Sequence, residues 1–254
     1  MIEWLIQSVA GHPALARGIA PAGLLSEREQ LRFGELKTAK RRSDWLIGRW
    51  TAKQLIRSYL ERQIGAQPLL NSLSVLNDPD GAPRIAGDWR LEIGECKLQS
   101  LISNLQLSIS HCDGYGFCAL SDMPGLQLGA DIERVEPRSA GFAEDYFTAP
   151  ELEQLRTALP ESRDTLVTLI WSAKEAALKA LRLGLSVDTR KVSCTIRPDP
   201  AAAHTWAALT VRSMPGLFGE RESCFQGWWR QCDQYVLTLV AIGAADCQLM
   251  DIPK

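Results

Sequence analysis

Ile170-Trp171-Ser172-Ala173-Lys174-Glu175-Ala176-Ala177-Leu178-Lys179 decides the fold, because the chain carries an altered copy of it at Arg49-Trp50-Thr51-Ala52-Lys53-Gln54. Each copy follows a helix-opening signal. Leu25-Ser26-Glu27-Arg28-Glu29 holds an S-x-x-E capping box, and Phe147-Thr148-Ala149-Pro150-Glu151 holds T-x-x-E with a proline tolerable in a first turn. The spacings agree: Ser26 to Trp50 is 24 residues and Thr148 to Trp171 is 23. A cap, a spacing and a W-[TS]-A-K core recurring together indicate two homologous halves offset by 121 or 122 residues.

Strand patterns fill the rest of each half. Leu105, Leu107 and Ile109 alternate before Ser110-His111, and Asp113-Gly114 predicts a turn into Tyr115 to Leu120. In the second half Leu126, Leu128, Ala130 and Ile132 alternate. Trp206 to Val211, Ser223 to Trp229 and Tyr235 to Ile242 read as further strands, separated by Pro215-Gly216 and Cys232-Asp233. Asp122-Met123-Pro124-Gly125 is the natural joint, giving halves of 1–122 and 123–254. Each is expected to be α+β, with two helices packed on a small, mainly antiparallel sheet.

The composition narrows the function. A formal net charge of −2 over 254 residues excludes a general polyanion binder, so no nucleic-acid partner is expected and any phosphate site must be a local basic cluster. The seven cysteines are scattered, odd in number and free of C-x-x-C spacing, which predicts buried reduced thiols rather than a disulfide framework or zinc site. Met1 to Ala10 has no basic leader and no apolar stretch reaches membrane-spanning length, so a cytoplasmic protein without a membrane partner is expected.

The second half carries the chemistry. Asp131 and Glu133 in Gly129-Ala130-Asp131-Ile132-Glu133 project from one face of a strand, and two carboxylates that close repel unless a cation sits between them. An all-oxygen pair suits a hard cation such as Mg²⁺. Glu175 and Lys179, four apart, share a helix face. The set offers three oxygen ligands and an ammonium, which suits a metal-bound pyrophosphate. The first half has Gln54 and Ser58 at the matching places, so only one copy is chemically equipped. On the earlier helix Arg42, Arg49 and Lys53 fall on one side. Such a stripe is ordinarily a solvated face.

Gly-x-Asp-x-Glu, with Glu175 in Trp-Ser-x-Lys-Glu-Ala-x-x-Lys 44 residues after Asp131, resembles the signature of the surfactin-type 4′-phosphopantetheinyl transferases. The resemblance implies a pseudo-dimer of two similar α+β subdomains with coenzyme A at their interface. It implies transfer of 4′-phosphopantetheine from coenzyme A to a serine of an apo acyl or peptidyl carrier protein, releasing 3′,5′-ADP, by a monomer. Asp131, Glu133 and Glu175 are then the Mg²⁺ ligands, Glu175 the base and Lys179 the stabiliser of the departing oxygen. Arg42, Arg49, Lys53, Ser110, His111 and Lys174 become coenzyme-binding residues. Lys53 and Lys174 each keep a structural alternative, one through its repeat partner and the other through its apolar surroundings. The family's phosphate-binding lysine in Gly-Lys-Pro is replaced by Ala82 in Gly81-Ala82-Pro83, which leaves Arg84 to reach the same charge. The competing reading is a catalytically idle module that binds coenzyme A or a carrier protein, against which stand Asp131, Glu133, Glu175 and Lys179 together.

Overall fold

The computed structural model describes residues 1–86, 101–197, 202, 205–217, 223–243 and 247–252. The chain forms two compact units, Met1–Leu126 with Ala244–Lys254, and Gln127–Gly243. The expected joint lies four residues before this division, and the C-terminal segment belongs with the first unit rather than with 123–254.

In the first unit, helix α1 (Glu27–Glu35) opens with the Ser26–Glu29 capping box, and helix α2 (Ala39–Ile64) opens at Thr38 and closes at Gly65 in the left-handed region. Helix α2 packs on a sheet built from β1 (Ile2–Ser8), β4 (Gln106–Cys112), β5 (Tyr115–Ser121) and β11 (Leu249–Asp251), in the order β11-β1-β5-β4. Strands β2 (Ser74–Asn77) and β3 (Pro83–Ala86) form a separate hairpin. The β1–β11 pairing is parallel and the others are antiparallel. Leu55, Ile56 and Leu60 of α2 meet Leu107, Cys118 and Leu120 in the core. Asp113 and Gly114, with φ of 45° and 79°, make the expected two-residue turn, a conformation that favours glycine and tolerates aspartate.

The second unit repeats the plan. Helix α3 (Ala149–Thr157) opens with the Thr148–Glu151 capping box, and helix α4 (Arg163–Ala180) packs on an antiparallel sheet. That sheet runs β6-β10-β9-β8-β7, from β6 (Gln127–Arg134), β7 (Val192–Ile196), β8 (Ala207–Ser213), β9 (Ser223–Cys232) and β10 (Tyr235–Ile242). The turn into β10 is Asp233-Gln234, one residue later than the spacing predicts. Helix α4 ends at Ala180: Arg182 adopts φ 58° and Leu183 N–H donates to Leu178 O at 3.0 Å.

One interaction recurs in both units. Lys53 on α2 is fully buried against Glu29, donates to Leu24 O at 2.6 Å and donates to Leu70 O at 2.9 Å. Lys174 on α4, equally buried, lies 2.8 Å from Glu151, donates to Thr189 O at 3.0 Å and donates to Val192 O. The partner of each lysine is the glutamate of a capping box. Its other oxygen accepts a strand amide, Val75 N at 3.0 Å on β2 or Cys194 N at 2.7 Å on β7. A buried ion pair is tolerated only when its remaining donors and acceptors are met, and here they are. Each ammonium spends three donors inside the protein, so the structural alternative holds for Lys53 and Lys174.

Replacing either lysine strands a buried glutamate without its counter-charge. K174M or K53M should therefore lower the unfolding free energy by about 3–5 kcal/mol. Chemical denaturation checks this, and a loss below about 1 kcal/mol would contradict the anchoring role.

Candidate active site

Gly129, Asp131 and Glu133 occupy one face of β6, the face toward α4. Gly129 is there because the two backbones touch. A Cβ at this position would lie 1.8 Å from Ala176 O and 2.8 Å from Ala180 N, which are backbone atoms that cannot move aside. That close approach brings the next two side chains of the same face within reach of α4.

One carboxylate oxygen from each of Asp131, Glu133 and Glu175 lies within 4.8 Å of the others. Asp131 is 1% exposed and held on both oxygens. Its Oδ2 accepts from Ser172 Oγ at 2.8 Å, and Ser172 Oγ is also 2.8 Å from Thr238 Oγ1, which lies on β10 directly across from Asp131. Its Oδ1 accepts from Lys179 Nζ at 2.6 Å, and the same ammonium donates to Ala130 O at 3.2 Å. Arg138 Nη2 donates to Glu133 at 2.9 Å, while the guanidinium lies 5.4 Å from the Phe142 ring centre. Trp171, on α4, packs at 5.2 Å against both Phe142 and Tyr146.

Crowding shows in the proton affinities. Burial, then the Asp131 charge, pushes Glu175 up to about 7, with Lys179 opposing. Burial and Asp131 also raise Glu133, against Arg138 and Lys179. Three carboxylates of this kind, all oxygen donors, fit a hard divalent cation, which would relieve the repulsion. A carboxyl poised near neutrality also suits proton transfer.

The first unit shows the same frame with uncharged residues at the four matching positions. Its Asp113-Gly114 turn matches Asp233-Gln234 at an offset of 120. Leu5 pairs with Cys118 as Asp131 pairs with Thr238, and Gln7 pairs with Gly116 as Glu133 pairs with Val236. Leu5, Gln7, Gln54 and Ser58 thus stand where Asp131, Glu133, Glu175 and Lys179 stand, and a small cleft of about 220 Å³ is lined by all four.

A larger cleft of about 680 Å³ in the first unit is lined by Arg49, Arg84 and His111, together with Arg32, Trp45 and Asn77, which the sequence patterns did not single out. Arg49 is 6% exposed, stacks over Trp45 at 4.7 Å, and donates from Nη2 to Asn77 Oδ1 at 2.6 Å. Its Nε is buried with no hydrogen-bond partner among the described residues, and burial lowers its pKa to about 10. Arg84, exposed, donates to Asp78 Oδ1 at 3.0 Å. Arg42 is absent from the cleft lining; it donates to Leu36 O at 2.9 Å and covers the Phe33 ring. Ser110 is buried on the opposite face of β4 from His111. Of the cysteines, Cys118 and Cys194 are buried as expected, whereas Cys224 is exposed and Cys112, Cys232 and Cys247 are half-buried; Cys96 lies outside the described residues. Among the described residues no helix is long and apolar enough to cross a membrane.

Glu175 should make the metal-free protein pH-sensitive. Its folded pKa, about 7, lies above the ordinary 4.5, so the folded state holds the extra proton between those values. Its contribution to stability is full below pH 4.5 and is lost as pH rises through about 7, by on the order of 1–3 kcal/mol. Denaturation in chelator across this window should show the loss, and E175Q should flatten it. An unchanged slope in E175Q would contradict the shift.

Residues 127–240, which include every member of the carboxylate cluster and its supports, match the family model described as the 4′-phosphopantetheinyl transferase superfamily. A Bacillus subtilis 4′-phosphopantetheinyl transferase is 26% identical over 98 residues, 39% of this chain and 42% of that protein. The Bacillus pumilus 4′-phosphopantetheinyl transferase psf-1 is 28% identical over 101 residues, 40% of this chain and 42% of its own. The 4′-phosphopantetheinyl transferase HetI of Nostoc sp. is 26% identical over 196 residues, 75% of this chain and 74% of its own. The chain thus spans about two fifths of the length of the Bacillus relatives it matches. Over residues 127–240, less than half of its length, the chain is similar to the 4′-phosphopantetheinyl transferase superfamily.

Proposed function

We propose that this chain transfers 4′-phosphopantetheine from coenzyme A to a serine of an apo acyl or peptidyl carrier protein, releasing 3′,5′-ADP, and that it is of the surfactin type. The observation that carries the reading is the meeting of Asp131, Glu133 and Glu175 within 4.8 Å beside Lys179, all inside the matched residues. The duplicated helix-and-hairpin plan supports the surfactin type.

Asp131, Glu133 and Glu175 would hold Mg²⁺, which would supply neutralising charge for the pyrophosphate. Glu175 accepts the proton of the carrier serine as its oxygen bonds to phosphorus. The bond from that phosphorus to the bridging oxygen breaks, and Lys179 stabilises the charge left on the departing 3′,5′-ADP. Ser172, locked by Thr238, fixes the orientation of Asp131. Arg49 holds the 3′-phosphate, with Arg84 and His111 beside it in the cleft; its partnerless buried Nε and its stacking on Trp45 support this.

Incubation with coenzyme A and an apo carrier protein, read by intact mass, tests the reading. The wild-type protein should load the carrier. Asp131→Ala should abolish loading with the fold intact, a loss of at least several kcal/mol in transition-state stabilisation. Normal turnover in that variant at saturating Mg²⁺ would overturn the assignment. Arg49→Ala should weaken coenzyme A more than dephospho-coenzyme A, shrinking the discrimination about tenfold to a hundredfold for a contact of about 1.5–3 kcal/mol. Equal losses with both donors would remove Arg49 from the phosphate grip.

A further inference from the structure

We infer that Lys179 is a tethered counter-ion that competes with the divalent cation for Asp131 Oδ1, and that cation binding releases its ammonium from that oxygen. The inference rests on the metal-site reading above. Both Asp131 oxygens are engaged, Oδ2 by Ser172 at 2.8 Å and Oδ1 by Lys179 at 2.6 Å. Each oxygen keeps a second lone pair, so a cation taking Asp131 as a ligand shares its oxygen with one of these donors and crowds it. Ser172 is fully buried and shares its hydroxyl with Thr238, so it is fixed. The Lys179 side chain is 30% exposed on a flexible four-carbon stem, so it is the group that yields. Two positive charges within a few ångströms repel strongly at a site buried to this degree, which adds the driving force.

The first unit offers an internal comparison. Where Leu5, Gln7 and Gln54 replace the three carboxylates, Ser58 replaces the lysine. The ammonium accompanies the carboxylates and disappears with them, as a counter-ion does.

Two measurements on the full-length protein without coenzyme A test this. Calorimetric titration with Mg²⁺ should show K179M binding at least fivefold more tightly than wild type, with K179R, which keeps the charge, close to wild type. Acetylation by an N-hydroxysuccinimide ester, followed by peptide mass spectrometry, should show Lys179 modified several-fold faster in saturating Mg²⁺ than in chelator. The exposed Lys40 serves as the internal reference. In Asp131→Asn, the Lys179 rate should be high and indifferent to Mg²⁺. Mg²⁺ binding with an unchanged or slowed Lys179 rate, or equal affinity in K179M, would overturn the counter-ion role and leave the metal site standing. No Mg²⁺ binding in either wild type or K179M would overturn the metal-site reading and this inference together.

Discussion

Each unit depends on a buried lysine–glutamate pair. Glu151 caps α3, accepts the Cys194 amide of β7 and receives Lys174 of α4, so one carboxylate ties two helices to an edge strand. Glu29 does the same for α1, β2 and α2. Such a pair adds little net stability over apolar packing, yet it is costly to break, which makes it a device for fixing one arrangement. In the second unit the residue after the anchor is Glu175. With Lys174 pinned toward α3 and β7, the rotation of α4 about its axis is set, and Glu175 and Lys179 are turned toward β6.

The approach of β6 completes what that anchor begins. Gly129 admits the backbone of α4 at a distance that any side chain would prevent. Asp131 and Glu133 then reach the helix by the two-residue period of a strand, while Glu175 and Lys179 reach the strand by the four-residue spacing of a helix. The charge cluster follows from backbone geometry. Its cost appears in the raised proton affinities of Glu133 and Glu175, offset by Lys179 and Arg138.

Much of this was legible in the residues. The two capping boxes, the long helices, the Asp113-Gly114 turn, the alternating β6 and the apolar run of β10 follow local rules of period, composition and cap chemistry. So does the placing of Asp131 and Glu133 on one face. The parallel strand β11, the short β2–β3 hairpin and the return of the C-terminal segment to the first unit depend on long-range pairing that no local pattern encodes. Lys53 and Lys174 looked basic and were candidates for phosphate; their glutamates lie 24 and 23 residues earlier, inside motifs that read only as caps. Arg138 and Thr238 lacked any signal, and Ser172 stood in the motif without a role, because a second layer of support is defined by contact alone. Trp45 and Asn77, which order Arg49, were hidden for the same reason. The two copies separate what the frame requires from what the chemistry requires: the caps and anchoring lysines persist in both, while the carboxylates and Lys179 occur in one.

We propose one cation site, built by Asp131 and Glu133 of a strand and Glu175 of a helix. The most direct measurement is a crystal of the protein grown with Mn²⁺ in place of Mg²⁺, examined for an anomalous difference peak. A single strong peak coordinated by all three carboxylates is expected, with the Lys179 ammonium withdrawn from Asp131 Oδ1. A peak bound elsewhere, or none among these carboxylates at saturating Mn²⁺, would contradict it.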